Sequence, residues 1–204
     1  MTALRRSVQE RLEAAWWRYT DAAALAELAA DPSPKVRAAV AGRRDLPEVV
    51  AGLLAGDQRP AVRIALARNP SCPPRLLAVL LDDPNAKVRI EIPTNPATDT
   101  DIVARILACP HAILRSMLFD HPALTAEWEL ALAHDPDVSV RSKVAELTKR
   151  PDVLAVLVAD PKPSVRCAAV VNPLTTRAQL AALAGDPARD VRDLVRYSGR
   201  VWED

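Results

Sequence analysis

The sequence predicts an all-helical solenoid of about seven short two-helix repeats, and three observations carry that expectation. Val-Arg recurs at a near-constant interval through most of the chain. An aspartate, in most units followed by proline, precedes each of these arginines by six residues, and Asn-Pro tends to follow by six. Between Asn-Pro and the next Asp-Pro, apolar residues take the spacing of an amphipathic helix.

The recurrence sets the register. Val36-Arg37, Val62-Arg63, Val88-Arg89, Val140-Arg141, Val165-Arg166 and Val191-Arg192, with Leu114-Arg115 in the one gap, place arginines at spacings of 26, 26, 26, 26, 25 and 26 residues. The aspartates are Asp31, Asp57, Asp83, Asp135, Asp160 and Asp186, and Cys109 stands in the fourth place. Aspartate caps helix N-termini and proline suits a first helical turn, so Asp-Pro is expected to end one helix and start the next. Asparagine tolerates a left-handed cap and proline blocks continuation, so Asn69-Pro70, Asn95-Pro96 and Asn172-Pro173, with His121-Pro122 in the same place, should close each second helix. Leu76, Leu77, Leu80 and Leu81, or Ile102, Val103, Ile106 and Leu107, supply the apolar stripe of the first helices.

A unit of this size cannot bury its own apolar face and must stack on its neighbours. We expect one domain over 1–204, with repeats over 31–192. A more polar helix pair bearing Trp16 and Trp17 caps one end (1–30), and a charged segment (193–204) caps the other. Exposure of Trp16, Trp17 or Trp202 would mark end-to-end association, and burial would make them cap residues.

Composition agrees with regular stacking. Half of the 204 residues are hydrophobic, yet only seven are aromatic, so the core must be built from small aliphatic side chains that let helices approach closely. The net charge is only +1, less basic than a protein that binds duplex nucleic acid chiefly through phosphates. Cys72, Cys109 and Cys167 lie too far apart for a disulfide framework or a zinc site. The first residues show no secretory pattern and no apolar run is long enough to span a membrane, so the expected compartment is the cytoplasm. The arginine-, alanine- and proline-rich usage points to a bacterial, GC-rich source.

The unit L-x-x-L-x-x-D-P-x-x-x-V-R-x-x-V-x-x-N-P resembles the HEAT-like repeats, and most closely the leucine-rich repeat variant family, over roughly residues 21–197. The resemblance implies a right-handed superhelix of alternating helices, the second of them partly 3₁₀. Some members of that family carry a cysteine-rich iron–sulfur segment ahead of the repeats. The matching cysteines are absent here, so no cofactor is expected.

Two sets of residues invite a functional reading. The register columns Asp31, Arg37, Asp57, Arg63, Asp83, Arg89, Arg115, Asp135, Arg141, Asp160, Arg166, Asp186 and Arg192 are read as an internal ladder that satisfies helix ends. The competing reading is a phosphate-binding stripe. The second set follows from the usual lining of a solenoid's concave wall by its second helices: Ile64, Arg68, Ile90, Thr94, Ser116, Phe119, Asp120, Ser142 and Glu146. Its mixed charge suits a protein or peptide partner. The alternatives are nucleic-acid binding through Arg63, Arg68, Arg75, Arg105 and Arg115, akin to the HEAT-like DNA alkylation-repair proteins, and small-molecule binding at the irregular fourth unit (Cys109–His121). Pro93 should shorten the third unit's second helix, and the fifth unit is one residue short. No nucleophile–base pair, metal-ligand spacing or cofactor motif is present, so the protein is expected not to be an enzyme.

Overall fold

The structure, a computed structural model, describes residues 7–199. All regular structure among these residues is helical. The chain forms two compact units, Met1–Ile106 and Leu107–Asp204.

The first unit begins with α1 (Val8–Trp16), α2 (Ala22–Ala29), α3 (Pro34–Ala41), α4 (Glu48–Ala55), α5 (Pro60–Ala67), α6 (Pro74–Leu80) and α7 (Ala86–Arg89). The helix α8 (Thr100–Ala108) follows, and then the second unit's α9 (Ala112–Leu118), α10 (Ala126–Ala133), α11 (Val138–Leu147), α12 (Pro151–Leu157), α13 (Pro163–Val171), α14 (Arg177–Leu183) and α15 (Arg189–Ser198). In the first unit the odd-numbered helices pack in sequence, α1 on α3, α3 on α5 and α5 on α7, while α2, α4 and α6 form a second layer. The second unit repeats the arrangement, with α9, α11, α13 and α15 in one layer and α10 on α12 in the other.

The core of both units sits between the layers. The valine of each Val-Arg is fully buried, as Val36, Val62, Val88, Val140, Val165 and Val191. Opposite lie leucines from the even-numbered helices, such as Leu28, Leu54, Leu80 and Leu157. Small residues such as Ala41, Ala51, Ala67 and Ala145, all without exposed surface, keep neighbouring backbones close.

Two expectations about helix ends are corrected. The ladder aspartates are not N-caps: α3, α5, α7, α11, α13 and α15 are capped by Ser33, Arg59, Asn85, Asp137, Lys162 and Ala188, two residues further on. The asparagines do not take a left-handed conformation, because no non-glycine residue among those described has positive φ. The odd-numbered helices are α-helical with i to i+3 bonds at their ends, as in Val62 N to Arg59 O and Asn69 N to Leu66 O around α5. The tightest of them, α7, is a single turn followed by i to i+3 bonds, with Glu91 N donating to Val88 O and Ile92 N to Arg89 O. Pro93 lies four residues beyond its end, where a proline ring cannot fit an α-helical turn.

Candidate functional site

Five of the ladder arginines are struts between successive repeats. Arg37 pairs with Asp57, Arg63 with Asp83, Arg115 with Asp135, Arg141 with Asp160 and Arg166 with Asp186, at Nε–Oδ2 distances of 2.5–2.7 Å. The second oxygen accepts from Nη2 at 2.7–3.1 Å, so every pair is bidentate. The remaining nitrogen turns back to its own repeat. There Arg37 Nη1 donates to Asp31 O, and Arg63, Arg115, Arg141, Arg166 and Arg192 donate to the matching carbonyls of Asp57, Cys109, Asp135, Asp160 and Asp186. Each paired aspartate also accepts from the backbone N–H two residues on, at 2.8 Å for Arg59, Asn85, Asp137, Lys162 and Ala188. This Asx turn is why the aspartate precedes its helix by two residues: it holds the loop and the arginine at once.

The electrostatics follow from that saturation. The Arg63 guanidinium holds the Asp83 carboxyl below the usual carboxylate range, and Arg166 does the same for Asp186. The arginines shift the other way for the same reason, Arg63 through Asp83 and Arg115 through Asp135. Arg89 and Arg192 are the exceptions. Arg192 donates to the carbonyls of Asp186 and Pro187 and pairs with no carboxylate among the described residues. Arg89 donates to the carbonyls of Asp83 and Pro84 but pairs with no carboxylate among the described residues, the column's next residue being Cys109.

Three polar features escaped the sequence reading. The ladder runs one repeat further back, because Arg11 pairs with Asp31 at 2.6 Å, and Arg11 lies 26 residues before Arg37, so the register was the available signal. A second ladder uses the asparagines. Asn69 Nδ2 donates to Ala41 O and Arg43 O, Asn95 Nδ2 to Ala67 O and Asn69 O, and Asn172 Nδ2 to Ala145 O, Glu146 O and Thr148 O. These acceptors include carbonyls at the C-termini of α3, α5 and α11, which have no partner within their own helix. Arg43, 26 residues before Asn69, does the same for Ala15 O and Trp17 O. Third, Glu129 occupies a column otherwise filled by Leu25, Ala51, Leu77, Val103 and Leu154, all buried; its Oε1 accepts from the Thr148 hydroxyl, in the unit that has lost its Asn-Pro.

The wall positions lie on the odd-numbered layer. In the first unit Ile64, Ile90 and Thr94 are half-buried and Arg68 is exposed, its guanidinium 2.7 Å from Glu91. In the second, Ser116, Phe119 and Ser142 are half-buried and Asp120 and Glu146 exposed. Lys143 gathers three of these: its Nζ donates to Ser116 O and Asp120, and lies 5.9 Å from the Phe119 ring centroid. The fourth unit's metal-capable atoms do not converge. Cys109 Sγ contacts only His111 O, at 3.7 Å, His121 Nδ1 accepts from Ala123 N, and no group of three His, Cys, Asp or Glu among the described residues could hold a metal. Cys72 is buried, which pushes its thiol up to about 12 and leaves it a protonated core residue.

With that geometry in hand, the family model for the leucine rich repeat variant matches residues 60–85, which span one full 26-residue register from the start of α5 to beyond Asp83. That match covers one unit, and the same Asp and Arg register recurs in most of the other units. A solved structure described as a leucine-rich repeat variant with a novel repetitive protein structural motif is similar along most of the chain. It shows 29% identity and a TM-score of 0.63, over 90% of this chain and 72% of that one. No curated protein matches. No helix among the described residues is long and apolar enough to cross a membrane. The chain is thus a helical repeat scaffold in which most of the repeating Asp and Arg residues are used in joining one repeat to the next.

Proposed function

We propose that this protein is a non-enzymatic binding module that offers the odd-numbered helix faces of its leucine-rich repeat variant units to a protein or peptide partner. One observation carries the preference over nucleic acid: each of the five arginines that the nucleic-acid reading would use already faces a carboxylate. Arg63 pairs with Asp83, Arg68 with Glu91, Arg75 with Glu48, Arg105 with Asp82 and Arg115 with Asp135. Binding a phosphate there would mean displacing a bidentate carboxylate from the ladder, or competing with one on the surface. The second unit's face presents side chains of both signs and some apolar surface: the Lys143–Asp120 pair, Glu146 and Phe119, with exposed Val171 and Tyr197 in the same register. Mixed polarity of this kind fits a polypeptide surface.

The test is affinity capture from source lysate, comparing wild type with a triple variant (Phe119→Ala, Asp120→Arg, Glu146→Arg) shown by circular dichroism to be folded. The proposal expects a protein recovered by wild type and lost by the variant. Recovery of nucleic acid that leaves at modest salt would replace it with the phosphate reading, and identical partners on both baits would exclude this face.

A further inference from the structure

A separate feature lies at the α1–α2 end of the first unit, away from the faces assigned above. The loop joining α1 to α2 opens a cavity of about 830 Å³, walled by Glu10, Glu13 and Trp17 on one side and by Tyr19, Asp21 and Glu27 on the other. A shallower depression of about 550 Å³ adjoins it, shares Glu13 and Trp17, and is bounded by Trp16. The aromatic side chains are not core residues: Trp16 and Trp17 are each 63% exposed and Tyr19 is 70% exposed. In a chain with only seven aromatic residues, three stand together in solvent at one end.

Charge defines what would fill the cavity. Among the described residues, the four charged side chains lining it are all acidic, and neither lysine nor arginine is among its walls. Glu27 has no side-chain hydrogen bond or ion pair among the described residues, so its carboxylate is available to an incoming cation. The aromatic faces offer the second half of a cation site: Trp17 and Tyr19 meet edge to face with centroids 5.8 Å apart. The chain's own Arg18 guanidinium already lies over Tyr19, 4.9 Å from the ring centroid, which leaves Trp17 as the face for an incoming cation. A planar guanidinium both stacks on aromatic rings and bridges carboxylates, which an ammonium does less well.

We propose that this end of the molecule binds arginine side chains of an extended, basic segment of a partner polypeptide. One guanidinium enters between Trp17 and the Glu13–Glu27 carboxylates, and a neighbouring residue lies in the depression beside Trp16. Two adjoining depressions along α1 match consecutive side chains of one segment better than a single small cation. A second copy of this chain docking the same end in a two-fold contact would set carboxylates against carboxylates, which is repulsive.

The test is fluorescence anisotropy of a labelled tetra-arginine peptide, with tetra-lysine, tetra-glutamate and free arginine as comparators. We expect saturable binding of tetra-arginine, weaker binding of tetra-lysine and none of tetra-glutamate. Trp17→Ala and Glu27→Lys, both at exposed positions, should each weaken binding at least tenfold, and Asp101→Lys, an exposed acid on α8, should not. The Phe119, Asp120 and Glu146 triple variant should also bind normally, so this proposal and the preceding one fail separately. Absence of saturable binding would overturn the proposal, as would equal loss in Asp101→Lys. Free arginine competing as well as the peptide would also overturn it, and so would sedimentation showing a dimer that Trp17→Ala dissolves.

Discussion

At the scale of single residues, two side chains do most of the joining, and they do it in different ways. The aspartate is an acceptor three times over, from a guanidinium twice and from a backbone N–H once, so it is ionised and buried without an unmet lone pair of consequence. The asparagine must instead donate and accept. Asn69 gives both Nδ2 hydrogens to Ala41 O and Arg43 O, at 2.7 and 2.6 Å, and takes one from Ser71 N at 2.9 Å. Asn69→Asp is therefore predicted to be far from conservative. It keeps the shape and the Ser71 bond but presents a carboxylate to two buried carbonyls, at a cost of about 3 kcal/mol of unfolding free energy. Equilibrium urea unfolding measures this, and a loss under about 1 kcal/mol would mean that the asparagine bonds contribute little.

At the scale of elements, the sequence disclosed the period, the two-helix unit and the identity of the paired columns, because these depend on a repeated residue at a fixed interval. It did not disclose how the columns connect. Asp31, Asp57 and Asp83 look like N-caps to any local rule, and only the partner 20 residues upstream (Arg11, Arg37 or Arg63) explains why they sit two residues ahead of the true cap. The asparagine ladder was hidden for a similar reason, since Asn-Pro also satisfies the local logic of a left-handed C-cap. Glu129 was invisible until its 26-residue column was seen to be apolar elsewhere. It compensates for the missing Asn-Pro by holding Thr148, whose hydroxyl in turn accepts from Arg150 N. The candidate site was legible only as a set of positions, because exposure of Arg68, Asp120 and Glu146 depends on which side chains the neighbouring helix brings up, as Glu91 and Lys143 do.

At the scale of the whole molecule, the charge balance is a consequence of the fold. The chain has 27 basic and 26 acidic residues, and its most regular charges cancel pairwise inside the repeats instead of projecting a field. Stability should then depend on pH through the ladder. Asp83 and Asp186 are held below their unfolded values by Arg63 and Arg166, so their contribution is complete above about pH 4 and is lost as pH falls through the lowered folded values. Urea midpoints should accordingly show no ladder-dependent change between pH 7 and 5 and a fall toward pH 3, with a smaller fall in Asp83→Asn. The central claim is that the repeating arginines are struts and not a surface for ligands. The most direct measurement is urea unfolding at pH 7 of Asp83→Asn beside Asp82→Asn. Asp83 is a buried partner of Arg63 with 4% of its side chain exposed, while its sequence neighbour Asp82 meets Arg105 with 75% exposed. A loss of about 3 kcal/mol is expected for Asp83→Asn and under about 1 kcal/mol for Asp82→Asn. Equal, small losses would contradict that claim and return the arginine column to the surface as a candidate for binding.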